Sequence, residues 1–267
     1  MTLPVTTALE TPAFATLPGV MPGAEPFLYE AGEIGCLMVH GFTSSPFEMR
    51  GLGRYLADRG ITAGAGLLSG HGTSPTDLQN VTWRDWHTAV DAQLDTMLVT
   101  CKKVYLVGLS LGGALSLYVA AQRGNEVAGV VAMSAPIFLP RPLGFVLNRM
   151  RRRIPYMKKR FRDIQDPIAR ANHVNYMSAP VDAIASLVEF LPRVRASLPQ
   201  VKVPALIIRA RRDHVVPPAS SRYIYRRLGS QDKHLLTLNK GFHIVTVDRA
   251  REQVFGAIYD FIVKRET

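Results

Sequence analysis

Residues Gly108 to Gly112 form a G-x-S-x-G motif with Ser110 at its centre. The motif follows a short apolar run, Val104 to Val107, and precedes an Ala/Leu-rich stretch, Leu111 to Gln122, which predicts a strand, a sharp turn and a helix. Such a turn strains the backbone of the serine, and side chains two positions before or after it would clash there. Ser110 is therefore the candidate nucleophile; a glycine-rich loop with an N-capping serine is the alternative.

A serine hydroxyl becomes an effective nucleophile only when a base removes its proton, and a carboxylate must hold that base in the correct tautomer. With a serine on this type of turn, the acid comes next along the chain and the histidine last. Asp213 follows the apolar segment Ala205 to Ile208, and His243 follows Leu235 to Leu238 through a glycine-containing loop. These two residues are the candidate acid and base. A surface carboxylate paired with a neighbouring arginine and a buried structural histidine are the alternatives.

The oxyanion of a tetrahedral intermediate needs two backbone N–H donors, one from the residue after the nucleophile and one from the loop after the first long strand. Those positions are Leu111 and Phe42, and Gly41 lets the backbone approach the substrate closely. His40 is expected to stabilise this loop rather than to act as a base. The apolar residues that could line an acyl pocket, with core packing as the alternative, are Phe42, Ile137, Phe138, Leu139, Leu143, Phe145, Val146 and Leu147.

Strand and helix patterns alternate along most of the chain, which predicts a parallel sheet covered by helices on both faces. The segment from Ile137 to about Gln200 interrupts the alternation and is helical where it has any period, so we expect an insertion over one end of the sheet. Asp248 is the expected N-cap of the last helix. The predicted strands are 34–39, 61–68, 104–107, 127–133, 204–208 and 235–238, and the predicted helices are 46–59, 83–100, 111–122, 219–228 and 251–263.

The composition is that of a globular chain: of 267 residues, 47% are hydrophobic and 20% charged. Cys36 and Cys101 lack metal-site spacing, so neither a disulfide nor a zinc framework is expected. No P-loop, EF-hand, H-E-x-x-H or dinucleotide pattern predicts a metal or a cofactor. No apolar stretch is long enough to span a membrane. The first 25 residues contain four prolines and no Lys or Arg, unlike a secretory signal, so a cytoplasmic location is expected.

With these features the chain resembles the small carboxylesterases and monoacylglycerol lipases of the α/β-hydrolase superfamily. By that resemblance Ser110, Asp213 and His243 would form a catalytic triad, and Phe42 and Leu111 an oxyanion hole. Similar enzymes often have a small or amide residue where this chain has a phenylalanine before the histidine. The blocks that carry the resemblance are, in order, His40-Gly41-Phe42-Thr43, Gly70-His71-Gly72, Gly108 to Gly112, Arg211-Arg212-Asp213 and His243 to Asp248.

The resemblance also implies an α/β-hydrolase fold with a mostly parallel central sheet flanked by helices. A small helical cap would be inserted after the strand that ends near Met133. Residues 1–25 would be an irregular lead, residues 26–136 and 201–267 the hydrolase core, and residues 137–200 the cap with a connecting helix.

These observations predict a cofactor-free serine carboxylesterase that cleaves single-acyl esters, either short- and medium-chain esters or monoacylglycerols, through an acyl-enzyme on Ser110. A thioesterase, lactonase or amidase would use the same triad, so those activities are the nearest alternatives. A non-catalytic hydrolase-like receptor or a membrane-surface interaction protein is the alternative from another class. The expected partner is a small-molecule ester substrate, and the oligomeric state is left open.

Positive charge is concentrated in residues 149–162, which contain eight basic and no acidic side chains, against a net charge of +11 for the whole chain. Nucleic-acid binding would need a reading element beside such a patch, and none is present, so no nucleic-acid partner is expected. Next to an acyl pocket, the segment would suit peripheral contact with an anionic membrane. A solvated helix face that aids solubility is the alternative.

Overall fold

Seven strands form one twisted sheet in the computed structural model, which describes residues 13–138 and 155–266. The strands are β1 (Phe27–Tyr29), β2 (Ile34–Val39), β3 (Thr62–Ala65), β4 (Lys103–Leu109), β5 (Gly129–Met133), β8 (Ala205–Ala210) and β9 (Lys233–Leu238). Their spatial order is β1-β3-β2-β4-β5-β8-β9. Every neighbouring pair is parallel except β1 and β3, which are antiparallel.

Helices cover both faces of this sheet. Side chains of β4 alternate between the two faces, as the two-residue repeat of a strand requires: Val104 and Leu106 pack on one side, and Tyr105 and Val107 on the other. The helices are α1 (Phe47–Ala57), α2 (Trp83–Thr100), α3 (Leu111–Gln122), the short α4 (Pro167–Asn172), α5 (Val181–Ser197), α6 (Pro218–Arg227) and α7 (Arg251–Val263). Helices α2, α3, α5 and α6 lie on the first side of the sheet, and α1 and α7 lie on the second.

The predicted fold class is confirmed, and the strong periodic segments have the bounds expected from the sequence. Helices α2, α3 and α7 begin and end at the predicted residues. One strand of the sheet, β1, was missed, because its three residues are too few to show a period. The described part of the N-terminal lead contains no helix or strand, yet Phe14 is buried in the core.

The segment expected to be a helical cap also contains strands. β6 (Tyr156–Lys158) and β7 (Ser178–Pro180) pair as an antiparallel two-stranded ribbon, with α4 between them. Each strand has three residues, so neither carries a readable alternation. The expectation that this segment is helical where it has any period therefore does not extend to the ribbon, which was not predicted. After β7, helix α5 returns the chain to the core by packing against α3.

The parallel register places the carboxyl ends of five strands at one edge of the sheet. Val39 of β2 pairs with Gly108 of β4, and Leu109 of β4 pairs with Met133 of β5. On the far side, Ala210 of β8 pairs with Leu238 of β9. Loops that leave these strands consequently emerge side by side, and they contain the residues expected to do chemistry.

Among the helices of the described residues, none combines the length and the apolar character required to cross a bilayer. Both cysteines, Cys36 and Cys101, are buried free thiols.

Candidate active site

Ser110 occupies a tight turn between β4 and α3. Its backbone has a φ of 55° and a ψ of −118°, a conformation in which a non-glycine residue is strained. A Cβ on Gly112 would overlap the carbonyl oxygen of Val39, and a Cβ on Gly108 would overlap the carbonyl oxygen of Gly112. Both glycines of the motif are thus required by the close approach of neighbouring backbone, and the turn projects Ser110 from the edge of the sheet.

The structure brings Ser110, His243 and Asp213 together in one hydrogen-bonded row. His243 Nε2 lies 3.0 Å from Ser110 Oγ, and His243 Nδ1 lies 2.9 Å from Asp213 Oδ2. The carboxylate can only accept, so Nδ1 carries the proton and Nε2 is free to accept the proton of the serine hydroxyl. This is the arrangement that a base-activated serine requires.

Asp213 is held as an anion. Burial raises the pKa of its carboxyl group, but the His243 imidazole and the backbone N–H groups of Val215 and Val216 outweigh that effect and keep the pKa below its ordinary value. Those N–H groups donate to Asp213 Oδ1 at 2.9 and 2.8 Å. Oδ2 is therefore left to orient the imidazole, and the pairing of Asp213 with a neighbouring arginine does not occur.

The loop after β2 carries the predicted second oxyanion donor, the Phe42 N–H. Gly41 N–H donates to the carboxylate of Glu48, while Gly41 O accepts from His40 Nδ1 at 2.9 Å. Together these bonds fix the peptide that carries the Phe42 N–H. The remaining nitrogen of His40, Nε2, accepts from Leu68 N–H, and burial lowers the pKa of His40, so His40 is a neutral loop-stabilising residue as expected.

Leu111 is the first residue of α3, so its backbone N–H is one of those that a helix leaves without an intrahelical acceptor. It follows Ser110 directly in the chain. Phe42 and Leu111 stay the predicted oxyanion donors, one in the loop after β2 and the other at the start of α3.

A cavity of about 280 Å³ opens in front of Ser110. Its lining combines apolar side chains with a polar cluster that sequence reasoning missed. Gly41 joins the two regions: a Cβ there would lie 3.1 Å from Glu48 Oε1 and 3.4 Å from Ser110 Cβ. The apolar lining includes Phe42, Pro136, Leu187, Val215, Val216 and Ile244, and the polar cluster is Ser44, Glu48, Lys159, His173 and Asn175.

The polar cluster is centred on a fully buried carboxylate. Glu48 Oε2 accepts from Ser44 Oγ at 2.6 Å and lies 3.4 Å from His173 Nε2. Burial raises the pKa of Glu48, but the hydrogen bonds from His173 and Ser44 outweigh it, so the pKa stays below its ordinary value. Burial lowers the pKa of Lys159 to about 8, against the opposing attraction of Glu48. The Glu48 carboxylate is therefore ionised, and it attracts the amine of Lys159.

Ser44, His173 and Glu48 form a second serine, histidine and acid group in the same cavity. Their geometry is not that of an activated serine, because Ser44 donates its proton to the carboxylate and stands 3.4 Å from His173 Nε2. Ser110 is the one of the two serines whose hydroxyl meets a histidine nitrogen that is free to accept.

Two of the expected pocket residues lie elsewhere. The backbone N–H groups of Ile137 and Phe138 both donate to Ser220 Oγ of α6, which turns the chain away from the cavity. Ile137 is fully buried in the core, and the Phe138 ring packs against Tyr223. For these two residues core packing is the correct interpretation. Phe42 does line the cavity, and the remaining candidates, Leu139, Leu143, Phe145, Val146 and Leu147, lie outside the described residues.

The expected N-cap is also wrong. The residue that caps α7 is Ala250, whereas the Asp248 carboxylate accepts from backbone N–H groups of Gln165, Asp166 and Phe242. A nearby loop offers the carboxylate more donors than the helix end does, and the sequence around the helix contains no sign of that loop.

Glu48 could have been found from the sequence. It shares the buried face of α1 with Leu52 and Leu56, at a spacing of four residues. A charged residue on an apolar helix face is rarely buried unless a partner satisfies it. No comparable signal marks Lys159 or His173, which reach the cavity from the cap. Within residues 13–138 and 155–266, no group of three or more His, Cys, Asp or Glu side chains is placed to hold a metal ion.

The family model for serine aminopeptidase S33 matches residues 34–250. The chain belongs to this family of α/β hydrolases, and the predicted enzyme class is confirmed. A thermostable monoacylglycerol lipase from Bacillus sp. (strain H-257) is 30% identical over 92% of this chain and 96% of its own. A carboxylesterase from Bacillus subtilis (strain 168) is 28% identical over 90% of this chain and 96% of its own.

Solved structures agree with this assignment. A structure described for the metagenome-derived lipolytic enzymes LipS and LipT superposes with a TM-score of 0.88 and 35% identity, covering 92% of this chain and 99% of the other. A monoacylglycerol lipase from Paleococcus ferrophilus has the same fold, with a TM-score of 0.78 and 20% identity, covering 90% of this chain and 99% of the other.

Substituting Ser110→Ala is expected to lower kcat for a soluble p-nitrophenyl ester by at least about 10³-fold, because in residues 13–138 and 155–266 no other hydroxyl is hydrogen-bonded to the free nitrogen of His243. The matched control is Ser44→Ala, which removes the serine of the second group and should retain more than a tenth of wild-type kcat. The reverse pattern, with Ser44→Ala inactive and Ser110→Ala active, would place the nucleophile at Ser44.

Turnover is also expected to fall as the pH is lowered from 8 to 5. Asp213 stays ionised over this range because its pKa lies below its ordinary value, whereas histidine side chains gain a proton there. A protonated His243 has no lone pair for the serine proton, so kcat/KM for a soluble neutral ester must decrease with acid. Circular dichroism at each pH would verify that the fold persists, and a flat rate profile would contradict the role of His243.

Proposed function

We propose that the protein is a serine carboxylesterase that cleaves single-acyl esters. Ser110 would act as the nucleophile, His243 as general base and acid, and Asp213 as the carboxylate that orients the imidazole. The backbone N–H groups of Phe42 and Leu111 would bind the oxyanion. The hydrogen-bonded row from Ser110 through His243 to Asp213 is the observation that carries this proposal.

The reaction would proceed through two tetrahedral intermediates. Ser110 Oγ attacks the ester carbonyl carbon while His243 Nε2 accepts the hydroxyl proton, and the carbonyl oxygen becomes an anion between the two N–H donors. Collapse of this intermediate breaks the bond to the alcohol, which leaves with the proton from His243. Water then attacks the acyl-enzyme with His243 as base, and the free acid is released as Ser110 regains its proton.

The mixed lining of the cavity favours monoacylglycerols as the substrate class. Apolar side chains suit an acyl chain, and a volume of about 280 Å³ accommodates one chain of modest length. The charged and hydrogen-bonding groups of Glu48, Lys159 and His173 suit a small alcohol that carries free hydroxyl groups. An alkyl ester of equal size would leave these polar groups without partners, which weakens its binding.

Amide cleavage from a free amino terminus fits the cavity less well. Lys159, Arg160 and Arg162 all line it, and their positive charge would repel the ammonium group of a peptide substrate. Thioesters and lactones carry no such charge, so the triad and the cavity accept them as well as they accept esters.

The domain boundaries inferred from the sequence and the cytoplasmic location stay predictions.

Wild-type enzyme is expected to prefer 1-octanoylglycerol over propyl octanoate by about tenfold or more in kcat/KM, because buried polar groups discriminate strongly against a ligand that lacks the matching hydroxyls. Lys159→Met should reduce this preference while leaving propyl octanoate turnover within about threefold. Lys158→Met is the matched control, since Lys158 is the exposed neighbour and does not line the cavity. Equal turnover of both esters by wild type would contradict the monoacylglycerol assignment, and faster turnover of the octanoyl thioester would favour a thioesterase.

We also propose that the basic cap segment 149–162 contacts an anionic membrane surface. Arg160 and Arg162 line the cavity, and Phe161 between them is 57% exposed. Met157 and Val215 are exposed as well, at 38% and 42%. Exposed apolar side chains flanked by positive charge are typical of peripheral contact with anionic lipid.

Neutralising Arg151, Arg152 and Arg153 to Gln is expected to weaken binding to anionic phosphatidylglycerol vesicles, while turnover of a soluble ester is unchanged. The control replaces Arg222, Arg226 and Arg227 of α6 with Gln, which removes the same charge from another surface. Binding should also weaken as salt approaches 0.1 M, where screening acts over about 10 Å. Equally poor binding of wild type to anionic and neutral vesicles at low salt would instead favour a solvated face.

A further inference from the structure

Asp163 bridges the two loops that carry the acid and the base. The residue comes from the cap, its side chain is 4% exposed, and its Oδ2 accepts from the backbone N–H of His214 at 3.0 Å and of His243 at 3.2 Å. Its Oδ1 lies 2.7 Å from His214 Nδ1. One buried carboxylate therefore binds the residue that follows Asp213 and the backbone of His243 itself.

Asp248 makes the reciprocal connection. This fully buried carboxylate belongs to the loop of His243 and accepts from the cap's backbone N–H groups of Gln165 at 2.8 Å and Asp166 at 2.9 Å. In return, Gln165 Oε1 accepts from Gly241 N–H at 2.9 Å. The cap segment 163–166 and the histidine loop thus satisfy each other's buried polar groups.

Aromatic side chains also pack together where the loop of Asp213 meets the loop of His243. The Phe242 ring meets the His214 ring edge to face, with centroids 4.7 Å apart. Phe242 therefore packs against the same His214 side chain that Asp163 holds.

Loss of the Asp163 carboxylate would leave the buried N–H of His243 and the partly buried N–H of His214 without this acceptor, and the loops would have to move to satisfy them. His243 must meet Ser110 and Asp213 at the same time. A displacement of about 1 Å at a catalytic group is enough to slow a reaction by about 10²-fold.

We propose that Asp163 is a positioning residue of the triad, which sets the distance between His243 and Asp213 from within the cap. Asp163 also lines the cavity, but its oxygens already accept from the two backbone N–H groups and from His214, so we assign it an action through His243 and not on the substrate. This inference rests on the proposed catalytic roles of Ser110, Asp213 and His243.

The test compares Asp163→Leu, Asp163→Asn and Asp166→Asn with wild type, using a soluble p-nitrophenyl ester. Leucine keeps the volume without an acceptor, whereas asparagine keeps one oxygen that can accept from both N–H groups while its amide nitrogen faces His214 Nδ1. Asp166 is the matched control, because its side chain only caps α4 through Ile168 and Ala169. Rates are expressed per active site titrated with a fluorophosphonate, and melting temperatures are recorded in parallel.

For Asp163→Leu we expect kcat to fall by about 10²-fold with KM within about threefold, since substrate contacts remain while the triad is displaced. Asp163→Asn should recover at least a tenth of wild-type kcat, and Asp166→Asn should match wild type. A purely structural role would lower the melting temperature and the titrated fraction but leave kcat per titrated site unchanged, and that result would overturn the proposal.

If Asp163→Leu does not fold, Gln165→Leu tests whether the cap segment positions His243, because this substitution removes only the acceptor for Gly241 N–H. A several-fold fall in kcat per titrated site supports positioning by the cap segment, and wild-type kcat contradicts it. A failure of the proposed function is detected by a different experiment. In that case the Ser110→Ala enzyme would be active, whatever kcat the Asp163 variants show.

Discussion

The strained turn at Ser110 is the constraint on which the rest of the site depends. The backbone there passes so close to Val39 and to the first turn of α3 that Gly108 and Gly112 admit no side chain. Leu111 begins α3 directly after Ser110, and Phe42 lies in the loop after β2. Because β2 and β4 are neighbouring parallel strands, the candidate nucleophile and the candidate oxyanion donors lie at one edge of the sheet.

Buried carboxylates hold the loops around this turn. Glu48 accepts from Gly41 N–H in the oxyanion loop, Asp163 accepts from His243 N–H, and Asp248 ties the histidine loop to the cap. A loop has few backbone partners of its own, so a charged acceptor with several N–H donors fixes it more firmly than a neutral one does. The cap therefore does more than cover the edge of the sheet that carries Ser110 and His243: hydrogen bonds join it to that edge.

Periodicity made most of the fold predictable. Helices α2 and α3 have long amphipathic or apolar repeats and begin and end where the sequence indicated. Ser110, Asp213 and His243 could be selected because each follows an apolar strand in the order that this fold uses. Three-residue strands such as β6 carry no period. Ile137 and Phe138 were misplaced in the pocket because the hydrogen bonds to Ser220 that redirect the chain are not visible in the local pattern.

The sequence by itself determined the strand-turn-helix at Ser110, the alternation that builds the sheet and the concentration of charge before Asp163, since each is a property of adjacent residues. Tertiary structure alone decided what shares the cavity. Glu48, Lys159 and His173 are separated by long stretches of chain, and they meet because the cap folds back over the helix that begins at Phe47. Contacts between distant segments depend on the path of the backbone in space, and no spacing along the chain encodes that path.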